Sequence, residues 1–182
     1  MKPIIKPWVM LWMALLTGML SYSQAKSIDS TDVKKGVQMD IQSKNKTTVH
    51  KLYEEILNTG KLELLSQIIA VGYIGPRDIK GAAGFAETIR PVLLAFPDIK
   101  WTIEDLIAEG DKVVARWVWT GTNTGSFAGF PPSNKQVTHH AISIFQFNGD
   151  KIIKGWMIAD RLSFFQQIGV ISPDITTPPN KQ

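Results

Sequence analysis

The chain has 182 residues with 20 Lys and Arg against 16 Asp and Glu, giving a net charge of +4. It has no cysteine, so no disulfide framework can staple it, and it is long enough to bury a core without one. The basic residues are scattered rather than gathered into an aromatic-interleaved stripe, so nucleic acid is not expected as a partner.

Residues 1–25 carry Lys2 and Lys6, an apolar run from Trp8 to Leu20, then Ser23-Gln24-Ala25. A basic start, a short apolar core and small residues at its end are the order of a secretory signal. The run falls short of the roughly 20 apolar residues a membrane-spanning helix needs. Export to a periplasmic or extracellular space is therefore expected, with no membrane association once the signal is removed. Without Lys2 and Lys6 the balance becomes 18 basic against 16 acidic side chains, or +2. Residues 26–44 are polar and weakly patterned and read as a flexible leader.

From Asn45 the apolar period becomes helical. Val49, Leu52, Tyr53, Ile56 and Leu57 make one stripe, broken by Asn58-Thr59-Gly60. A short second helix would bury Leu62, Leu65, Ile68 and Ile69. A third, over 82–95, would turn Phe85, Ile89, Val92 and Leu93 inward, with Pro91 as a source of a kink. After Phe96-Pro97-Asp98 the period switches to two. Strands are expected over 100–108, 112–120, 137–147 and 151–160. Glu109-Gly110-Asp111 and Asn148-Gly149 supply turns, the latter a strong hairpin signal. A helix over 162–168 closes the domain at 45–170, and the Pro- and Thr-rich residues 171–182 read as a loose tail. Helices set apart from a run of antiparallel strands indicate an α+β fold, and a curved sheet wrapped on helices leaves a hollow suited to a small molecule.

Three histidines, no cysteine and no HxH or HExxH spacing give no expectation of a metal. There is no GxSxG elbow and no phosphate-binding glycine pattern. Asn45-Lys46-Thr47 fits a glycosylation sequon. His139 and His140 are adjacent on a strand, so they point to opposite faces, and only one can enter the hollow. His139 shares parity with Ala141, Ser143, Phe145 and Phe147, while His140 shares it with Ile142, Ile144 and Gln146. Neither face is plainly polar. Asp160 ends the last strand. A carboxylate against apolar walls has a raised pKa and suits general acid/base work, whereas an Asp just before a helix is also a favoured N-cap. Arg116 reads as a salt-bridge residue.

Tyr53-Glu54-Glu55-Ile56-Leu57-Asn58, Phe96-Pro97-Asp98, EDLIAEGDKVVARW (104–117), GTNTGSFAGFPP (121–132), GDKIIKGWMIAD (149–160) and QQIGV (166–170) occur in that order. On these motifs the chain resembles the SnoaL-like polyketide cyclases, or ester cyclases, of the nuclear transport factor two-like superfamily. The resemblance implies a cone-shaped barrel of curved antiparallel sheet wrapped on N-terminal helices, with a C-terminal helix and a pocket between them. It implies cofactor-free acid/base chemistry of cyclase, isomerase or lyase type on a small apolar carbonyl-bearing molecule, with Asp160 as the proton shuttle. Within that frame His140 is the second catalytic candidate. Tyr53, Trp119, Asn123, Phe127, Gln146 and Trp156 are the substrate-binding candidates, and the sheet is the expected homodimer surface. Asn123 stands where relatives often have His in a GTHxG loop. Non-catalytic binding of a small ligand, or a dimeric interaction module, is the alternative on the same fold.

Overall fold

The structure is a computed structural model that describes residues 30–174. The residues read as a signal, 1–25, lie outside this range, as do the first residues of the leader and most of the tail. Helix α1 spans Ser30–His50. Residues 30–44, expected as a flexible leader, are thus helical where they are described. Their helix is polar and lacks a strong apolar face, which is why the sequence pattern does not announce it. Local bonds support it: the Lys44 ammonium meets the Asp40 carboxylate one turn back at 2.6 Å, and Thr47 and Thr48 bond the carbonyls of Ser43 and Lys44. Asn45 is buried at 3% exposure, so the sequon presents no accessible side chain.

Lys51–Leu57 continues as a turn of π-helix, closed by the Asn58 amide donating to the Tyr53 carbonyl. It buries Leu52, Tyr53, Ile56 and Leu57, the stripe expected from spacing. A 3-10 segment, Leu62–Gln67, follows. Ile68 and Ile69, expected at the end of a helix, instead lead into strand β1, Ile69–Ile74. β1 pairs parallel to the last strand, with Ile69 opposite Ile152. Sequence reading misses it because the strand is only six residues long and runs straight into Gly75-Pro76, too short to establish a period. A 3-10 turn at Pro76–Asp78 leads to α2, Gly81–Ala95. α2 runs through Pro91, which lies on its exposed side.

Strands β2 (Lys100–Glu109), β3 (Lys112–Thr122), β4 (Gln136–Asn148) and β5 (Lys151–Ala159) form the expected antiparallel meander, and α3 is Arg161–Gln167. The sheet order is β1-β5-β4-β3-β2. The α+β class and the sheet over helices are as expected. Two details are corrected: the sheet is mixed rather than wholly antiparallel, and it is open rather than closed, with β1 and β2 as its edges. Irregularities between Ile103 and Asp105 and between Gln146 and Phe147 break the ladder locally, as bulges that bend strands do.

Alternation along β3 and β4 defines the inner face. Val113, Ala115, Trp117 and Trp119 on β3 and Val137, Ala141, Ser143, Phe145 and Phe147 on β4 are buried. They meet Leu52, Tyr53 and Ile56 of the π-turn in one apolar core. The loop 123–135 is pinned across the end of α2: the amides of Thr124 and Gly125 both donate to the Ala95 carbonyl, at 3.0 and 3.1 Å. Glycine is required at 125, since a Cβ there would collide with the Leu94 carbonyl oxygen. Asp98 fastens the other side of this corner, accepting from the Thr122 amide at 2.6 Å and its hydroxyl at 2.7 Å. These two bonds hold its carboxyl below the usual range.

Candidate functional site

A cavity of about 250 Å3 opens between the inner face of the sheet and α2. Its walls are aromatic: Tyr53, Tyr73, Phe85, Trp101, Trp117, Trp119, Phe127, Phe145 and Phe164 all border it. α2 contributes Phe85, Thr88, Ile89 and Val92, which explains why its apolar side is only half-buried. The rings form a continuous set of tilted and edge-to-face contacts. Phe96 and Trp119 lie 4.9 Å apart, Phe127 and Phe164 5.3 Å, and His139 and Phe164 5.2 Å. Such edge-to-face arrangements suit the ring quadrupoles and fix the wall without polar atoms.

The polar side chains that border it are Tyr53, Tyr73, Arg77, Thr88, His139, Ser143 and Arg161. Ser143 Oγ accepts from Trp117 Nε1 at 2.9 Å and lies 3.3 Å from the Tyr53 hydroxyl. Burial drives the Tyr53 phenol above its ordinary range, and the Tyr73 phenol is pushed up to about 12 for the same reason. Both therefore stay protonated, as donors, near neutral pH.

His139 is the histidine that borders the cavity. Its ring sits 5.4 Å from Trp119, and its Nδ1 is buried with no hydrogen-bond partner among the described residues. Desolvation lowers its pKa, and this outweighs the opposing pull of the nearby Asp160 carboxylate. The imidazole is accordingly neutral near pH 7, the form that accepts a proton.

The site expectations divide. Tyr53, Trp119 and Phe127 line the cavity. Trp156 borders it too, yet its register partner Ile144 belongs to the outer face and its ring lies 5.0 Å from the Lys154 ammonium. The other four residues sit elsewhere. His140 is exposed on the outer face, one pleat away from His139. Gln146 is also outer, donating to Asp111 at 2.8 Å. Asn123 is buried but clips its own loop, donating to the Gly125 carbonyl at 2.8 Å and accepting from the Ser133 amide at 2.9 Å. Asp160 is exposed and caps α3, its carboxylate accepting from the Ser163 amide at 3.0 Å. Ala159 and Arg161 border the cavity whereas Asp160 does not. The water-poor setting expected for Asp160 belongs instead to His139. The carboxylate serves the cap, and its charge reaches the imidazole from outside.

Sequence reasoning did not select Tyr73, Ser143, His139 or Phe164. The signal for His139 and Ser143 was their shared parity with Phe145 and Phe147. The small Ala141 and Ser143 made that face look less apolar than the face carrying Ile142 and Ile144. Arg116, as expected, is a salt-bridge residue, bonding Asp105 at 2.7 Å and also pairing with Glu104.

Comparison with known proteins fits this geometry. A model of the SnoaL-like polyketide cyclases matches residues 47–168. No curated protein matches the chain. A candidate SnoaL-like polyketide cyclase from Jannaschia sp. CCS1 superposes with a TM-score of 0.66 at 23% identity, over 72% of this chain and 95% of its own. A candidate polyketide cyclase from Acidithiobacillus ferrooxidans is 32% identical with a TM-score of 0.63, over 70% and 96%. IdmH of Streptomyces antibioticus, another candidate polyketide cyclase, is 26% identical with a TM-score of 0.61, over 69% and 99%. With a family model spanning 47–168 and the cone's helices, sheet and closing helix all in place, the chain belongs to the SnoaL-like polyketide cyclase family.

Proposed function

We propose that the protein binds a small apolar molecule bearing a carbonyl group and moves a proton on it without a cofactor, as a cyclase, isomerase or lyase would. The observation that carries this reading is a neutral imidazole, His139, set into an aromatic-walled cavity of about 250 Å3. A flat ring system suits such walls. A proton beside a carbonyl would pass to His139, and the Asp160 carboxylate would steady the imidazolium that forms. Asp160 thus acts through His139 rather than on the ligand.

Export belongs to this proposal, on the strength of the basic, apolar and small-residue order of residues 1–25. So does a homodimer through the outer sheet face, where Ile142 and Ile158 pair at 46% and 83% exposure beside Trp156 at 40%. Light scattering on the chain and on Ile158→Glu tests the dimer: a dimer that becomes a monomer supports it, and a monomer in both removes it.

The test of function uses 2-tetralone, a two-ring ketone with acidic protons beside its carbonyl. The chain should be stabilised by it in a thermal melt and should speed deuterium uptake at its C1 position in D2O. A ligand-induced rise in Tm with uptake no faster than buffer would favour a second reading, a non-catalytic carrier. The exposed, cap-bound position of Asp160 is the observation on that side.

A further inference from the structure

We infer that Tyr53, Ser143 and Tyr73 form an oxygen-recognition subsite that supplies two hydroxyl protons to an acceptor oxygen of the ligand. The inference rests on the ligand-binding reading above and deepens it. It follows from counting donors and acceptors. An indole N–H can only donate, so the 2.9 Å contact of Trp117 Nε1 fixes Ser143 Oγ as its acceptor. The Tyr53 and Ser143 oxygens, 3.3 Å apart, share one further bond, which uses the proton of one hydroxyl or the other. Whichever donates, the remaining proton has no acceptor among the described residues. Tyr73 adds a second, since its hydroxyl makes no hydrogen bond among those residues.

All four side chains are deeply buried: Tyr73 is 1% exposed, Tyr53 3%, Ser143 4% and Trp117 5%. Surplus donors on such a wall are satisfied by whatever acceptor fills the cavity beside them, a ligand oxygen or water. Each of the four borders the same cavity. The placement of Tyr73 is built in by glycine. A Cβ at Gly155 would stand 2.6 Å from the Tyr73 hydroxyl oxygen, and one at Gly75 would stand 2.7 Å from it. The ring is further held edge-on against Phe85, at 6.1 Å. Two bare backbone positions therefore let a phenol lie in the seam between β1 and β5.

The ligand class that satisfies this subsite presents a ketone, ester or quinone oxygen to it. An amine or ammonium would bring more donors to a place that already has too many.

The experiment compares 2-tetralone with tetralin, which has the same ring system without the oxygen, by titration calorimetry on the full chain, on the double variant Tyr53→Phe with Ser143→Ala, and on Tyr73→Phe. The unsubstituted chain should prefer the ketone by about tenfold or more, and each of these two variants should cut that preference by about three- to tenfold. Tetralin affinity should stay within about twofold throughout, since the variants remove only hydroxyls. The ratio of the two probes within one variant is insensitive to partial unfolding, because both see the same folded fraction. Equal binding of ketone and hydrocarbon, or a preference untouched in both variants, overturns the subsite while leaving an apolar pocket. Binding of neither probe overturns the ligand reading and the subsite with it.

Discussion

The two faces of strand β4 carry residues of similar chemistry in opposite circumstances. Inside, His139 is desolvated among Trp119 and Phe164, and Ser143 is bonded to two aromatic partners. Outside, His140 is exposed and Gln146 bonds an exposed aspartate. A pleat of one residue separates a group whose protonation the fold controls from a neighbour in contact with water. What a histidine can do here is decided by which side of the sheet it occupies, and not by its place in the motif.

Stability should expose the same asymmetry most strongly. Trp119→Ala removes a ring from the wall and core and should cost about 3–5 kcal/mol. Ile158→Ala, at a position 83% exposed, should change stability by no more than about 0.5 kcal/mol in the monomer. Urea unfolding of both variants checks this, and comparable losses would mean that the inner face is not the core. Ser143→Ala comes next. It leaves the buried Trp117 N–H without its acceptor, at a cost of about 1–3 kcal/mol by the same measurement, whereas Gln146→Ala should cost less than about 1 kcal/mol.

A pH series sharpens the comparison. His139 has its pKa lowered from 6.5 in the folded chain, so below that value the unfolded chain binds a proton that the folded chain resists. Stability is then full above pH 6.5 and is lost as the pH falls through 6.5 toward the lowered folded value. The urea midpoint should drop between pH 7.5 and 5.5, and His139→Gln should reduce that drop. The smallest effect belongs to Asp160→Asn. Asparagine caps a helix about as well as aspartate, so stability should move by less than about 0.5 kcal/mol, while Asp160→Ala should cost about 0.5–2 kcal/mol.

The sequence made much of the fold legible. Period-two runs bounded by Asn148-Gly149 and Gly110 located four strands, and the stripe from Val49 to Leu57 located the helical side of the core. β1 and the polar start of α1 stayed hidden because each lacks the pattern that apolar burial writes: β1 is too short, and Val33, Val37, Met39 and Ile41 at the start of α1 are all exposed. The site was half legible. Aromatic residues such as Tyr53, Trp119 and Phe127 pointed to the hollow because large rings seldom have anywhere else to go. The polar residues did not sort themselves. Both faces of β4 are apolar enough that alternation could not separate His139 from His140. Asp160 satisfied a cap and a catalytic motif with the same letter, and the Tyr73 hydroxyl depends on glycines at 75 and 155 that are distant from one another in sequence.

The central claim is that the inward histidine is the group that exchanges a proton with the ligand. Deuterium uptake at C1 of 2-tetralone, measured by proton NMR for the unsubstituted chain, His139→Gln and His140→Gln, tests it directly. Loss of about a hundredfold or more of the protein-dependent rate in His139→Gln, with His140→Gln within about twofold, is the result expected. Full uptake by His139→Gln with the ligand still bound would contradict the account.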